Sequence, residues 1–177
     1  MEMFVNYQSF SNSIATIGFM PPTTSTQGNL TLGVNSSGYP TVTWSTGSLV
    51  ASSFITSNTW YHLALVHDAS NGNTKVYING NLEMTGYYDT NYDLRSSTVG
   101  YRFGRDNIAY NGYINEYIDD IQIWNVARNG SDIAGDMSGY SSPYPSNLKF
   151  YAKLNEGTAN ANNTSVSSTL VDETGNY

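Results

Sequence analysis

The chain has 177 residues, contains no cysteine and carries a formal net charge of −7. Its length predicts one domain with a core of its own, and the lack of cysteine excludes disulfides, zinc–thiolate sites and cysteine nucleophiles. The seven basic residues form no basic stripe, which argues against nucleic acid and anionic membrane surfaces as partners.

The polar surface of this chain is neutral rather than charged. Charged residues make up only 12% of the sequence, while tyrosine occurs 15 times. Globular domains normally carry about 25% charged residues, so Asn, Ser, Thr, Gly and Tyr must form much of the surface. This composition is typical of a β-rich adhesive protein. No apolar run approaches the ~20 residues of a membrane span, so we expect no membrane insertion.

The first part of the chain reads as short strands. "EMFVNYQ" and "SIATIGFM" are strand patterns, and the second stops at Pro21-Pro22. After the loop "TTSTQGN", the alternating runs "LTLGVN" and "PTVTWST" flank a turn signal at 36–39.

The clearest strand is "NTWYHLALVHD" at 58–68, which is apolar on both faces. A strand of this kind is expected in the middle of a sheet that is covered on both sides. "ASNGN" then predicts a hairpin loop into "TKVYIN", and Asn79-Gly80 predicts a tight turn into "NLEMTG". Together these strands predict a β-meander.

The remaining elements alternate loops and strands. "GYYDTNYDLRSS" at 86–97 and "RDNIAYNG" at 105–112 read as loops on either side of the strand "TVGYRFG". "NEYIDDIQIWNVAR" is the next strand, and a short helix is predicted near 131–137, capped by Asn129 or Ser131. "NLKFYAKLNEG" predicts one last long strand. Many short strands with frequent turn signals favour an all-β antiparallel sandwich or jelly roll.

Several of these segments, in this order, resemble laminin-G-like domains of the concanavalin A-like jelly-roll fold. The hairpin "NTWYHLALVHD…TKVYINGNLEMTG" is similar to the signature hairpin of that family. "VGYRFGRDNIAYNGYINEYIDDIQIWNVARNGSDI" resembles its glycine-started strand and its I-D-[DE]-x-x-[IV]-[WY]-N-x-A-R segment. The closing segment from "LKFYAKLNEG" is similar to that of bacterial and phage surface proteins. The resemblance implies one jelly-roll domain over 1–177.

The sequence departs from the family pattern at three places. One or two strands that normally precede "EMFVNY" are absent, and the closing segment stops after "TGN". We therefore expect a domain without some terminal strands, in which a strand left unpaired exposes a sheet edge. The extra "INEY" at 114–117 predicts a longer strand or a β-bulge before "IDD".

Three carboxylates in one strand raise the question of catalysis. Strand alternation places Glu116 and Asp120 on one face, roughly 13 Å apart, and Asp119 on the other. Glycoside hydrolysis needs carboxyl groups ~5–5.5 or ~6.5–9.5 Å apart, and no two acidic residues of the chain are separated by two positions. We therefore predict no catalytic residues and no enzyme activity. A hydrolase stays the less favoured alternative, because a bulge or different strands could bring such a pair together.

For the other polar residues of these strands the sequence favours structural roles. Asp119 and Asp120 are expected to bind backbone or loop groups or to pair with an arginine, whereas Glu116 has no explanation. His62 is expected to be a hydrogen-bonded structural histidine and His67 to be solvated.

Calcium is the one cofactor that the resemblance suggests, because laminin-G-like domains often hold a Ca²⁺ ion at the rim with oxygen ligands. The candidate ligands lie in the loops at 86–97 and 105–112: Asp89, Asn91, Asp93 and Asp106. Ordinary turn roles for these residues are the alternative.

Aromatic residues at loops and strand ends are the main candidates for ligand binding, because aromatic rings pair with the apolar faces of sugars and polar groups fix the hydroxyls. We expect a partly exposed aromatic rim formed by Tyr39, Trp44, Tyr87, Tyr88, Tyr92, Tyr101 and Tyr110.

The sequence thus predicts a non-catalytic recognition or adhesion module that binds a glycan or a partner protein. Its expected location is extracellular, at a cell surface or on a virion, within a larger chain. The alternative is a structural spacer or homo-oligomerisation module of a fibre-like protein, with no ligand of its own.

Overall fold

The computed structural model describes residues 1–10, 14–20, 30–44, 47–88, 100–104, 115–155 and 171–177. Within these ranges the chain forms eleven strands and one short helix, α1 (Gly130–Asp136). The strands are β1 (Glu2–Tyr7), β2 (Ile14–Met20), β3 (Leu30–Val34), β4 (Pro40–Trp44), β5 (Gly47–Val50), β6 (Trp60–Asp68), β7 (Asn73–Ile78), β8 (Asn81–Tyr87), β9 (Gly100–Phe103), β10 (Glu116–Trp124) and β11 (Leu148–Ala152).

The described strands form two antiparallel sheets packed face to face. One sheet has six strands in the order β11-β10-β1-β6-β7-β8, and the other has five in the order β5-β4-β3-β2-β9. The predicted all-β sandwich is confirmed, and so is the single short helix, which begins one residue earlier than predicted.

The strand β1 lies inside the six-stranded sheet. It pairs with β10 on one side and with β6 on the other. β1 is therefore not an edge strand. Among the described strands, the sheet edges belong to β11, β8, β5 and β9.

The main core fills the space between the sheets, and a smaller one lies on the outer face of the six-stranded sheet. Leu63 and Leu65 of β6 point into the main core, while Ala64 and Val66 form the outer cluster with Tyr77 and Ile133. Because Ile133 belongs to α1, the helix covers the outer face of β6 and β7. This confirms the prediction of a strand buried on both faces.

Local backbone geometry explains where the turns fall. Asn79 and Gly80 both adopt positive φ, 49° and 77°, as a two-residue hairpin turn requires. The side chain of Asn129 caps α1 by accepting a hydrogen bond from the backbone N of Asp132.

Three features differ from the sequence-based prediction or were missing from it. The short edge strand β5 was not predicted, because four residues give too little alternation to detect. The last strand is shorter than predicted and ends at Ala152, before Leu154 takes positive φ. The strand β10 carries a bulge, which the extra "INEY" predicted as one alternative, but the bulge lies at Asp120 and not before Ile118: the register with β1 shifts there and Asp120 adopts a φ of 51°. None of the described helical residues forms a segment long and apolar enough to cross a membrane.

Candidate ligand-binding cleft

A cleft of about 740 Å³ lies at the end of the sandwich that carries the turn between β6 and β7. One wall comes from β2 and β9 of the five-stranded sheet, and the other from the ends of β10 and β11. The described residues that line it include Phe19, Tyr101, Phe103, Ile123, Trp124, Phe150 and Tyr177, with His67, Asp68, Ser70 and Lys149 at polar positions.

The register between β2 and β9 builds the aromatic wall. Phe19 is the direct partner of Tyr101, and Ile17 is the partner of Phe103. Since directly paired side chains share a face, the three aromatic rings come together. The rings of Phe19 and Tyr101 meet edge to face, 5.5 Å apart. Tyr101 is still 43% exposed, so part of its ring is available to a ligand.

The polar part of the cleft is preorganised and close to neutral. The Asp68 carboxylate accepts hydrogen bonds from the backbone N and the hydroxyl of Ser70 and from the amide of Asn71. Bonds from Ser70 lower the pKa of Asp68, and they hold the turn in place. Burial lowers the pKa of His67, whose Nδ1 is 3.1 Å from the Thr74 hydroxyl. Lys149 donates to the Ser146 carbonyl.

The closing residues of the chain are anchored to β11 through Asp172. Its carboxylate accepts backbone hydrogen bonds from Tyr151, Thr174, Asn176 and Tyr177. Burial alone would raise the pKa of Asp172, but these bonds lower it below its ordinary value. This network places Tyr177, which is 89% exposed, at the cleft.

Of the predicted aromatic rim, Tyr101 lines the cleft. Tyr87 is 61% exposed and lies against Gly72 in the β6–β7 turn. Trp44 is half-buried against Gly47, and Tyr39 packs edge to face with Phe54.

Two parts of that prediction have a different outcome. Tyr88 is only 1% exposed and its ring contacts His67, so it presents no face to a ligand. Tyr92 and Tyr110 lie outside the described residues. The sequence also did not point to Phe19, Phe103, Phe150 or Tyr177, because their meeting depends on strand pairings between distant segments.

The predicted calcium ligands Asp89, Asn91, Asp93 and Asp106 also lie outside the described residues. In the part of the chain that the structure describes, no group of three or more His, Asp or Glu side chains is placed to hold a metal ion. Calcium binding therefore stays a prediction.

The three carboxylates of β10 do not have the predicted arrangement. Glu116 pairs with Tyr7 and points between the sheets, whereas Asp120 accepts a hydrogen bond from the Tyr151 hydroxyl at 2.7 Å. The expectation that Glu116 and Asp120 share a face is wrong, because the bulge at Asp120 reverses the alternation. Asp119 accepts a bond from the backbone N of Asp120. The expected role of Asp119 is confirmed, because its partner is a backbone N–H. Asp120 also has a structural role, but its partner is a tyrosine side chain of β11 and not the backbone group, loop group or arginine that was expected.

Both histidines are shielded from solvent, His62 completely and His67 in part. His62 is fully buried, as a structural histidine is expected to be, but the expected side-chain hydrogen bond is wrong. Neither ring nitrogen has a hydrogen-bond partner among the described residues, and Nε2 lies 3.6 Å from a carboxylate oxygen of Glu2. His67 was expected to be solvated, but it is partly buried between Thr74 and Tyr88.

Comparison with solved structures finds the same fold in a protein described as carbohydrate-binding and in two domains that were solved with bound oligosaccharides. A Bacteroides ovatus protein to which carbohydrate binding is ascribed superposes with a TM-score of 0.67 at 22% identity, over 89% of this chain and 46% of that one. Domain 4 of a GH43 extracellular arabinanase from Geobacillus stearothermophilus, solved with arabinotriose, gives 0.56 at 19% identity, over 76% and 63%. The CBM40 of a Ruminococcus gnavus sialidase, solved with α2,3-sialyllactose, gives 0.53 at 13% identity, over 76% and 78%.

This chain thus spans less than half the length of the Bacteroides protein. The comparison with curated proteins gave no match. A family model matches residues 1–134, well over half of the chain. The chain belongs to the concanavalin A-like lectin/glucanases superfamily.

Proposed function

We propose that the chain is a non-catalytic glycan-recognition module of a larger extracellular or cell-surface protein, and that its ligand binds in the aromatic cleft. The observation that carries this proposal is the aromatic wall of Phe19, Tyr101 and Phe103 beside fixed polar groups. Aromatic faces pack on the C–H faces of sugar rings, while a few polar groups orient the hydroxyls.

The charges of the cleft favour recognition over hydrolysis. Among the described residues that line it, Asp68 supplies the one carboxylate side chain. Glycoside hydrolysis by the common mechanisms needs two such groups, and Asp68 already accepts three hydrogen bonds within its own turn.

Structural relatives support the same ligand class. The arabinanase domain was solved with a neutral arabinose oligosaccharide, and the CBM40 with a sialylated one. Because identity to both is below 20%, they support a sugar as ligand without naming which sugar.

The test is a glycan array followed by calorimetry on wild type, Tyr101→Ala and Tyr87→Ala. Tyr87 is the matched control, because it is also an exposed tyrosine at this end of the sandwich but does not line the cleft. We expect Tyr101→Ala to weaken binding by at least about tenfold, which corresponds to ~1.4 kcal/mol, and Tyr87→Ala to bind as wild type does.

The proposal fails if no glycan binds, or if both variants lose binding equally. A stable dimer or trimer in light scattering, together with a silent array, would instead support the structural spacer or oligomerisation module.

A further inference from the structure

A row of three side chains crosses the outer face of the six-stranded sheet, far from the cleft. Asn6 of β1 is the direct partner of Trp60 in β6 and of Tyr117 in β10. The neighbouring Val5 belongs to the core between the sheets, so alternation turns Asn6 and both aromatic partners outward. The two aromatic residues therefore stand two strand spacings apart, about 10 Å, with the amide between them.

The two aromatic side chains of this row are open to solvent. Trp60 is 47% exposed and Tyr117 is 59% exposed, while Asn6 between them is 9% exposed. Helix α1 covers the same face of the sheet over Ala64 and Val66 but leaves this row free. Exposed aromatic residues that lie together and next to polar groups can mark a binding surface.

The polar groups of the row are neutral and partly fixed. Asn6 Oδ1 accepts a hydrogen bond from Gln8 Nε2 at 2.8 Å. Within the described part of the chain, Asn6 Nδ2 makes no hydrogen bond, so it can donate to a ligand. The acid that follows on this face, Asp119, accepts a bond from its neighbour's backbone N.

We infer that Trp60, Asn6 and Tyr117 form a second binding platform, which takes a neutral, linear oligosaccharide. Two ring faces provide the stacking surface for sugar C–H groups, and the amide orients a hydroxyl between them. The spacing of about 10 Å requires a ligand longer than one sugar ring. A row without a cation favours a neutral glycan over an anionic one.

The platform is rigid and separate from the cleft. Its residues lie on three adjacent strands, and the backbone N of Asn58 donates to the Tyr7 carbonyl, which fixes the turn before Trp60. Trp60 and the cleft residue Asp68 are the two ends of β6, about 26 Å apart along the strand. The two sites can therefore bind independently, and the platform does not depend on the function proposed for the cleft.

The test uses ¹⁹F NMR of the full chain labelled with 5-fluorotryptophan. The chain has three tryptophans, so Trp60→Phe assigns the resonance of interest. The probes are cellohexaose, xylohexaose and mannohexaose, with sialyllactose as the anionic control. We expect at least one neutral hexaose to shift the Trp60 resonance saturably, and Tyr117→Ser to weaken that binding by at least about tenfold.

Two variants provide the controls. Leu82→Ser removes an apolar side chain of similar exposure, 53%, elsewhere on the same sheet, and Tyr101→Ala damages the cleft. Neither should change the response at Trp60. Thermal melting checks that each variant is folded, and Tyr117→Phe, which keeps the ring, should retain most of the binding.

The inference is overturned if no neutral hexaose shifts the Trp60 resonance, or if Tyr101→Ala abolishes the shift, which would place the ligand in the cleft. It is also overturned if the resonance moves with protein concentration alone, because the row would then contact a second copy of the chain. If a hexaose binds at Trp60 and Tyr101→Ala weakens the binding of no glycan, the result would contradict the function proposed for the cleft and support the platform.

Discussion

The imidazole of His62 faces the carboxylate of Glu2 inside the protein, with Nε2 and Oε2 3.6 Å apart. Both residues are at most 1% exposed, and the ring of Phe4 packs edge to face on the imidazole. Within the described residues, neither ring nitrogen of His62 makes a hydrogen bond. The stability of the fold therefore depends on the protonation state of His62, because a positive charge on this buried ring would lose most of its hydration.

Protonation of His62 should destabilise the fold in acid. Burial lowers the pKa of His62 from 6.5 to about 4, so between these values the unfolded chain binds a proton that the folded chain does not. The stability contributed by the neutral ring is therefore present above pH 6.5 and is lost as the pH falls toward 4. We expect urea unfolding to show this loss in wild type and a flatter profile in His62→Gln.

Glu2→Gln is the control for this prediction. Burial raises the pKa of Glu2, so its contribution has the opposite sign: it is present at low pH and lost as the pH rises. Glu2→Gln should keep the acid-side loss that His62 causes. If the unfolding free energies of wild type and His62→Gln changed with pH in parallel, protonation of His62 would not be the cause of the loss of stability in acid.

Glu116 should destabilise the fold in mildly alkaline solution. Both of its carboxylate oxygens are buried, and they face the Tyr7–Thr16 hydrogen bond between the sheets. Burial raises the pKa of Glu116 from 4.5 to about 8. The folded state thus keeps a proton that the unfolded state releases, so stability is full below pH 4.5 and is lost as the pH rises to about 8.

The measurement compares the unfolding free energy of wild type and Glu116→Gln across that interval. We expect the variant to be more stable than wild type at the alkaline end by about 1–3 kcal/mol, because Glu116 then carries a buried charge whereas the glutamine amide stays neutral. Glu83→Gln, on strand β8, is the matched control for the change in net charge and should show no such gain. An equal gain in both variants would mean that net charge, not burial of Glu116, sets the effect.

Some features of the fold and of the cleft could be predicted from the sequence, and others could not. Periodicity and turn signals determine the sandwich, since Leu63 and Ala64 must point to opposite faces of β6. The same rule misplaced Asp120. The extra "INEY" indicated a longer strand or a bulge, but the sequence pattern does not show that the added residue and its positive φ fall at Asp120. The cleft could not be predicted from the sequence either. Phe19 contacts Tyr101 only because β2 pairs with β9, and these strands lie far apart in the chain.

The bulge in β10 should depend on the hydrogen bond between Asp120 and Tyr151. Tyr151 is 2% exposed, and its hydroxyl donates to Asp120 at 2.7 Å. We expect Tyr151→Phe to cost about 1.5–3 kcal/mol, as for other hydrogen bonds to charged groups. Asp120→Asn should cost less than Asp120→Ala, because asparagine tolerates positive φ better than alanine.

A double-mutant cycle with Tyr151→Phe and Asp120→Asn measures the coupling of the two side chains. The two single costs should not add, because Tyr151→Phe removes the donor of this bond and Asp120→Asn replaces its charged acceptor with a neutral one. Strict additivity would show that the bond contributes nothing and that the bulge is held by backbone pairing alone.

Asp172 should control the closing segment 171–177 and, through it, one wall of the cleft. Its carboxylate binds the backbone N of Tyr151 in β11 and the backbone N of Tyr177. We expect Asp172→Ala to speed hydrogen exchange at the Tyr151 amide, because that donor loses its partner. Tyr177 would then leave the cleft, so binding of any glycan found for the cleft should weaken.

Asp172→Asn and Glu173→Gln separate the possible causes. Asparagine keeps one acceptor oxygen and should give an intermediate effect, whereas Glu173, which pairs with Lys153 and Tyr144, should leave the Tyr151 amide unchanged. The pKa of Asp172 is lowered by its hydrogen bonds, so the anchor should hold above its ordinary value of 3.8 and loosen as the pH falls below it. Exchange at Tyr151 that stays slow in Asp172→Ala would show that the strand pairing of β11, not this carboxylate, protects the amide.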